Sequence, residues 1–196
     1  MSSEQRAQGN GRESEITVGQ LLLTEYQAIK DEQKARIGFR DNLLYVTLAA
    51  AVAAVIASVS QAKQPQMLLA LPPVCVALGW TYLINDEKIS AIGAYVRNEL
   101  GPRLAAATGS PDAAEIVFRW ETSHRSDARR RSRKLIQCAV DQGAFCAVPL
   151  AALVTYWVYG DGGALLIGLS VIEALAIIGL AVQILLYAGM LGTGER

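Results

Sequence analysis

Four long runs of apolar residues constrain this chain more than any other feature. They cover residues 43–60, 67–84, 135–159 and 164–190. The first, LLYVTLAAAVAAVIASVS, carries no charge at all; the third and fourth carry one acidic residue each, Asp141 and Glu173. A helix needs about 20 apolar residues to cross a bilayer. A helix on a soluble bundle shows an apolar stripe with a charged back face, whereas these runs are apolar all round. The predicted fold class is therefore all-α, a membrane protein with four transmembrane helices. Average composition hides this, because 196 residues with 52% apolar, 18% charged and zero net charge describe an ordinary chain. That neutrality argues against a generally basic nucleic-acid binder and against an acidic disordered chain.

The connections set the expected topology. Residues 61–66, with Pro65, read as a tight turn, and so does Gly160-Asp161-Gly162-Gly163, whose residues tolerate positive φ. Two helical hairpins follow, 43–84 and 135–190, separated by a polar insert over 85–134. Basic residues orient them. Lys30, Lys34, Arg36 and Arg40 precede the first span, and the insert carries Lys88, Arg97, Arg103, Arg119, Arg125, Arg129, Arg130, Arg131, Arg133 and Lys134. The opposite turns carry only Lys63. The positive-inside rule places both termini and the insert in the cytoplasm, giving a multi-pass protein of the inner cell membrane. In that frame Tyr156, Trp157 and Tyr159 mark the outer interface, and Tyr45, Trp80, Tyr82 and Tyr187 lie towards the inner one. Residues 1–15 are polar, with no apolar core of a signal peptide, and are expected to be disordered; 191–196 form a short tail.

Residues 16–42 read as a cytoplasmic amphipathic helix. Thr17 is placed to cap it, and Leu22, Tyr26, Ile29, Gln33 and Ile37 recur on one face. No proline interrupts it, so one long helix is expected to run from residue 18 into the first span. The insert reads as two helices. The first ends at Gly101-Pro102, taken as a break; the second starts at Ser110-Pro111, carries Ile116, Val117 and Trp120, turns strongly basic and feeds the third span.

Polar residues inside the spans are the sharpest lead to function. Glu173 falls near mid-depth, where an ionisable group is costly. With Asp141, Gln142 and Gln183 it forms a candidate intramembrane polar track for ions or protons. The competing reading is structural, a protonated Glu173 hydrogen-bonding another span or another subunit. Cys138, Gln142 and Cys146 recur at steps of four on one face. Arg125, Arg129, Arg130, Arg131, Arg133 and Lys134 form a basic collar suited to anionic lipid headgroups. Ala49, Ala53 and Ala57 make a small-residue row for close helix packing, and Ala50, Ala54 and Ser58 make a second. Pro72-Pro73 and Pro149 are expected to kink or loosen their helices. Cys75, Cys138 and Cys146 sit in apolar surroundings without CxxC spacing, so they read as small buried hydrophobes rather than disulfide or zinc ligands. The sole histidine, His124, has no partner set for a triad or a metal. No phosphate-binding loop, metalloprotease or nucleophile-elbow pattern occurs. The expectation is therefore a non-enzyme without cofactor or metal.

The stretches LLLTEYQAIKDEQKARIGFRDNLLYVTLAA and PPVCVALGWTYLINDEKISAIGAYVRNEL resemble small integral membrane proteins that recur in actinobacteria and have no assigned function. The resemblance covers the first half of the chain and implies no catalytic residues. Short outer turns with a helical cytoplasmic insert are also similar in outline to small membrane effectors of bacterial defence systems, an architectural likeness that does not fix function. Two functions compete. The favoured one is a homo-oligomeric channel or membrane-permeabilising effector with a cytoplasmic helical assembly region. The other is a non-transporting scaffold or sensor whose cytoplasmic helices bind a protein partner. The bilayer, with its anionic headgroups, is a partner in both, and nucleic acid in neither.

Overall fold

The computed structural model describes residues 17–60, 65–109, 130–160 and 163–189. The expected disorder of 1–15, the helix start at Ser110-Pro111, His124, Arg125, Arg129 and the tail at 191–196 lie outside them. Among the described residues the chain is helical and no strand occurs. The helices are α1 (Val18–Ser60), α2 (Leu71–Tyr95), α3 (Gly101–Ala107), α4 (Arg130–Gln142), α5 (Val148–Tyr159) and α6 (Ala164–Tyr187). Four helical stretches are long and apolar enough to cross a membrane. The chain is thus a multi-pass membrane protein by the length and composition of its helices.

α1 begins where its cap predicts. The Gln20 amide donates to Thr17 Oγ1 at 3.3 Å, and the Thr17 amide donates to Gln20 Oε1 at 3.0 Å, a reciprocal box that satisfies two N-terminal donors. The helix then runs 43 residues without interruption. At about 1.5 Å per residue this is roughly twice the thickness of a hydrocarbon core. Its first half therefore projects beyond the bundle as a stalk. α2 runs antiparallel beside it and projects at the same end. Four contacts fix their register: Arg40 Nη1 donates to Asp86 Oδ1 at 2.7 Å, Asn85 Nδ2 to the Arg36 carbonyl at 2.6 Å, Gln33 Nε2 to the Ile89 carbonyl at 3.5 Å, and Tyr95 Oη to Glu25 Oε1 at 2.6 Å. The expected apolar face of α1 lies here: Leu22, Tyr26, Ile29 and Gln33 are half-buried, while Ile37 is exposed.

Gly101-Pro102 does not break the helix. A proline ring collides with the carbonyl four residues back. The chain avoids the clash by opening one wide turn, a π-helical segment over Val96–Leu100, after which α3 continues to Ala107. The Gly101 amide reaches back five residues to the Val96 carbonyl. The same device precedes Pro149. Gly143–Ala147 is π-helical, and the Val148 amide bonds the Gly143 carbonyl. Pro149 therefore sits in the first turn of α5. Pro72 and Pro73 are accommodated differently, in the first turn of α2 behind a 3₁₀ helix over Pro65–Ala70, so Pro65 opens a helix instead of lying in the turn.

The bundle core is built from α2, α4, α5 and α6. Phe145, Leu153, Leu180 and Ile177 are almost wholly enclosed, and Tyr82 packs on Phe145 with ring centroids 5.0 Å apart. Gly79 makes this possible. A Cβ there would lie 2.7 Å from Leu180 Cδ2 and 3.0 Å from Phe145, so only glycine lets α2 approach so closely. α1 is the peripheral member, with Leu43 and Thr47 buried and most other side chains of its apolar half exposed. α5 and α6 run antiparallel, tied by Trp157 Nε1 donating to Ser170 Oγ at 2.8 Å. Tyr156, expected at an interface, is instead enclosed beside that bridge at 2% exposure. Tyr82 is also a core residue, while Tyr45, Trp80, Tyr159 and Tyr187 are exposed.

Candidate functional site at the stalk end of the bundle

A pocket of about 390 Å³ opens where the stalk joins the bundle. Three helices supply its walls, each through one face. From α2 come Tyr82, Asp86 and Ser90, at steps of four, with Leu83 beside them. From α4 come Lys134, Gln137, Cys138 and Asp141, at steps of three and four. Both spacings align side chains along one side of a helix. The last turn of α6 closes the third wall with Ile184, Tyr187 and Ala188. Leu83, Cys138, Ile184 and Ala188 make an apolar lining, against which the polar groups stand out.

Those polar groups form two connected sets. In the first, Gln137 Nε2 donates to the Tyr82 hydroxyl and, at 3.0 Å, to Asp141 Oδ1. Tyr82 and Asp141 are also hydrogen-bond partners. Asp141 is only 8% exposed, so this network satisfies a carboxyl group that burial would otherwise penalise. The second set belongs to the stalk. Asp86 binds Arg40, which also contacts Asp41 through Nη2 at 3.2 Å. One residue earlier, Asn85 both donates to the Arg36 carbonyl and accepts from Arg36 Nη1 at 3.4 Å. Asp86 thus serves the stalk and the pocket at once. Ser90 and Tyr187 are a further hydrogen-bonded pair across the mouth.

The candidate polar track is not gathered in one place. Asp141 belongs to the stalk-end pocket. Gln142 donates to the Ala181 carbonyl at 2.8 Å and so ties α4 to α6. Gln183 is exposed on the outer surface of α6. Glu173 is buried on α6 three residues beyond Ser170, 7% exposed, and its Oε2 has no hydrogen-bond partner. The buried Tyr156 hydroxyl is likewise without one. Along α6 the buried Ile177 and Leu180 separate Glu173 from the pocket's Ile184, and along the α4–α5 stretch the buried Phe145 and Leu153 separate Asp141 from Tyr156. No continuous line of polar side chains links Asp141 to Glu173 within the described protomer.

The basic collar divides in the same way. Arg133 and Lys134 are exposed on the first turns of α4, with Lys134 on the pocket rim. Arg130 and Arg131 open that helix, but their side chains lie outside the described residues. Of the small-residue rows, Ala50 and Ala54 pack towards α2 and α5 in a cluster with Leu68, Leu71, Cys75 and Ala152. Ala49 points away, and Ala53 and Ala57 line a shallow apolar groove with Met67, Ala70 and Val74. Cys75, Cys138 and Cys146 are buried thiols, and no metal-binding group of three or more His, Cys, Asp or Glu exists among the described residues.

Sequence reading missed Tyr82, Asp86, Ser90 and Gln137 as members of one site. A signal was present: Tyr82, Asp86 and Ser90 recur at steps of four across the end of the second apolar run, and Lys134, Gln137 and Asp141 share a face at the start of the third. Nothing in either run says that the two faces meet. No protein family, curated protein or solved structure matches this chain.

Proposed function

We propose that the protein is a non-transporting membrane scaffold or sensor of the inner cell membrane, with both termini and the stalk in the cytoplasm. The observation that carries this reading is the double role of Asp86. It is the acceptor of the Arg40 latch that pins the α1 stalk to α2, and it lines the stalk-end pocket. Anything that binds in the pocket and interacts with Asp86 shifts the balance between latched and unlatched stalk, as linkage requires. The half-covered apolar face of the stalk is the surface offered to a cytoplasmic protein partner, and the basic collar holds anionic headgroups around the entry of α4. The apolar plug between Asp141 and Glu173 supports the absence of a conduit through one protomer.

The test is a paired measurement on liposomes containing the full chain. Ion flux stays at the level of empty liposomes, while a Gln33→Cys/Ile89→Cys pair across the stalk crosslinks readily and does so several-fold more slowly after Asp86→Ala. Flux above the empty-liposome level, or crosslinking indifferent to Asp86, refutes the reading.

One observation favours the alternative of a homo-oligomeric channel or permeabilising effector. Gln183 faces outwards on α6, where copies assembled around that helix give it a partner. That alternative requires a ring-like oligomer whose flux falls on Glu173→Gln.

A further inference from the structure

We infer that the stalk-end pocket binds the headgroup of a phospholipid carrying a primary ammonium, of the phosphatidylethanolamine type. The inference rests on the sensor reading above and names its ligand. The pocket, about 390 Å³, lies within the size range of small-molecule sites, about 300–1,000 Å³. Its charges are arranged by wall. Asp86 on α2 and Asp141 on α4 supply carboxylates from two sides, and Ser90 adds a hydroxyl acceptor one turn from Asp86. Arg40 uses one oxygen of Asp86, and Gln137 and Tyr82 bond Asp141; the two oxygens of a carboxylate offer about four acceptor sites, so both groups retain acceptor capacity. A primary ammonium has three N–H donors and matches this set; a quaternary ammonium has none. Lys134, on the exposed first turns of α4, supplies the cation that a phosphate needs at the rim.

The lipid origin follows from position. The pocket sits at the ends of three apolar helices, where a headgroup resides. Its lining of Leu83, Cys138 and Ile184 continues into the apolar part of the bundle. A divalent cation is a poorer occupant, because no cluster of three or more metal-ligating side chains stands among the described residues. The acidic walls disfavour an anionic headgroup without an ammonium, which leaves phosphatidylglycerol to the basic collar.

The experiment uses the full chain in nanodiscs holding equal amounts of ethanolamine, choline and glycerol phospholipid, with retained lipid identified by native mass spectrometry after gentle extraction. The expected result is retention of the ethanolamine lipid over the choline lipid by about tenfold, the scale of one charge-assisted hydrogen bond. Asp141→Asn, which keeps shape and removes the charge, abolishes that preference. Lys134→Ala, at an exposed site, lowers total retention but keeps the ethanolamine-to-choline ratio. Soluble phosphoethanolamine at millimolar concentration leaves the bound lipid in place; if it displaces the lipid, the free solute is the ligand and the lipid assignment is wrong. Equal retention of the two lipids by the unmodified protein overturns the proposal whatever the variants do. Flux measured on the same preparation separates the two failures: leakage with intact lipid preference removes the sensor reading alone, and no leakage with no preference removes the ligand alone.

Discussion

The stalk and the bundle of this protein are held together by different physics. Between the projecting parts of α1 and α2, register is set by named polar pairs: Arg40 with Asp86, Asn85 with Arg36, Glu25 with Tyr95. Apart from the buried Asn85, these side chains are partly exposed, so their bonds compete with water and contribute modestly. Inside the bundle the bonds between helices are few, and shape does the work. Phe145, Leu153, Ile177 and Leu180 interlock around the notch left by Gly79. In lipid there is little hydrophobic gain from bringing helices together, so close packing has to supply it. The contrast implies a rigid bundle carrying a stalk that opens more easily.

The comparison breaks most visibly at Phe145. Phe145→Ala removes the centre of the packed core and is expected to destabilise the bundle by about 3–5 kcal/mol, read as a fall in thermal unfolding temperature in nanodiscs. Filling the notch is next. Gly79→Val drives a side chain into Leu180 and is expected to cost about 1–3 kcal/mol, with Gly79→Ala milder in the same assay. Glu173 sharpens the contrast from the other side. Its Oε2 is a polar atom without a partner, so Glu173→Leu is expected to leave stability unchanged or raise it by about 1 kcal/mol. A clear loss of stability in that variant means that the carboxyl has a partner in the membrane and is not an unsatisfied polar group. The stalk gives the smallest effect. Asn85→Ala is expected to lower stalk stability by about 1 kcal/mol, visible as faster amide exchange near Ile89 with the bundle's core amides unaffected.

The sequence made the four apolar helices and the long first helix legible, because runs without charge and a regular stripe are strong signals. Thr17 was legible as a cap for the same reason, since its box needs only local residues. What an all-apolar run conceals is facing. Nothing in VPLAALVTYWVY distinguishes Tyr156, which is enclosed, from Tyr159, which is exposed. Facing depends on the neighbouring helix, and Gly79 is meaningful only beside Leu180 and Phe145. The same limit hid the pocket, whose walls come from helices distant in sequence. It also scattered the candidate track, because residues that share a depth need not share a side. Gly101-Pro102 misled for a local reason: proline excludes an ordinary α-turn, yet a wider turn was available.

The two wide turns, Val96–Leu100 and Gly143–Ala147, also act as frame shifts in the helical reading. Each holds one residue more than its length along the axis needs, and one residue is worth about 100° of rotation. The stretch ahead of Gly143 aims Lys134, Gln137 and Asp141 into the pocket, while the stretch behind it aims Leu153 and Tyr156 into the core. Deleting a single residue from GAFCA restores a plain helix and turns one of those faces away from its target, even though no pocket or core side chain need be lost. At Gly143 and Ala147, outside the buried Ala144, Phe145 and Cys146, substitution is tolerated far better than deletion.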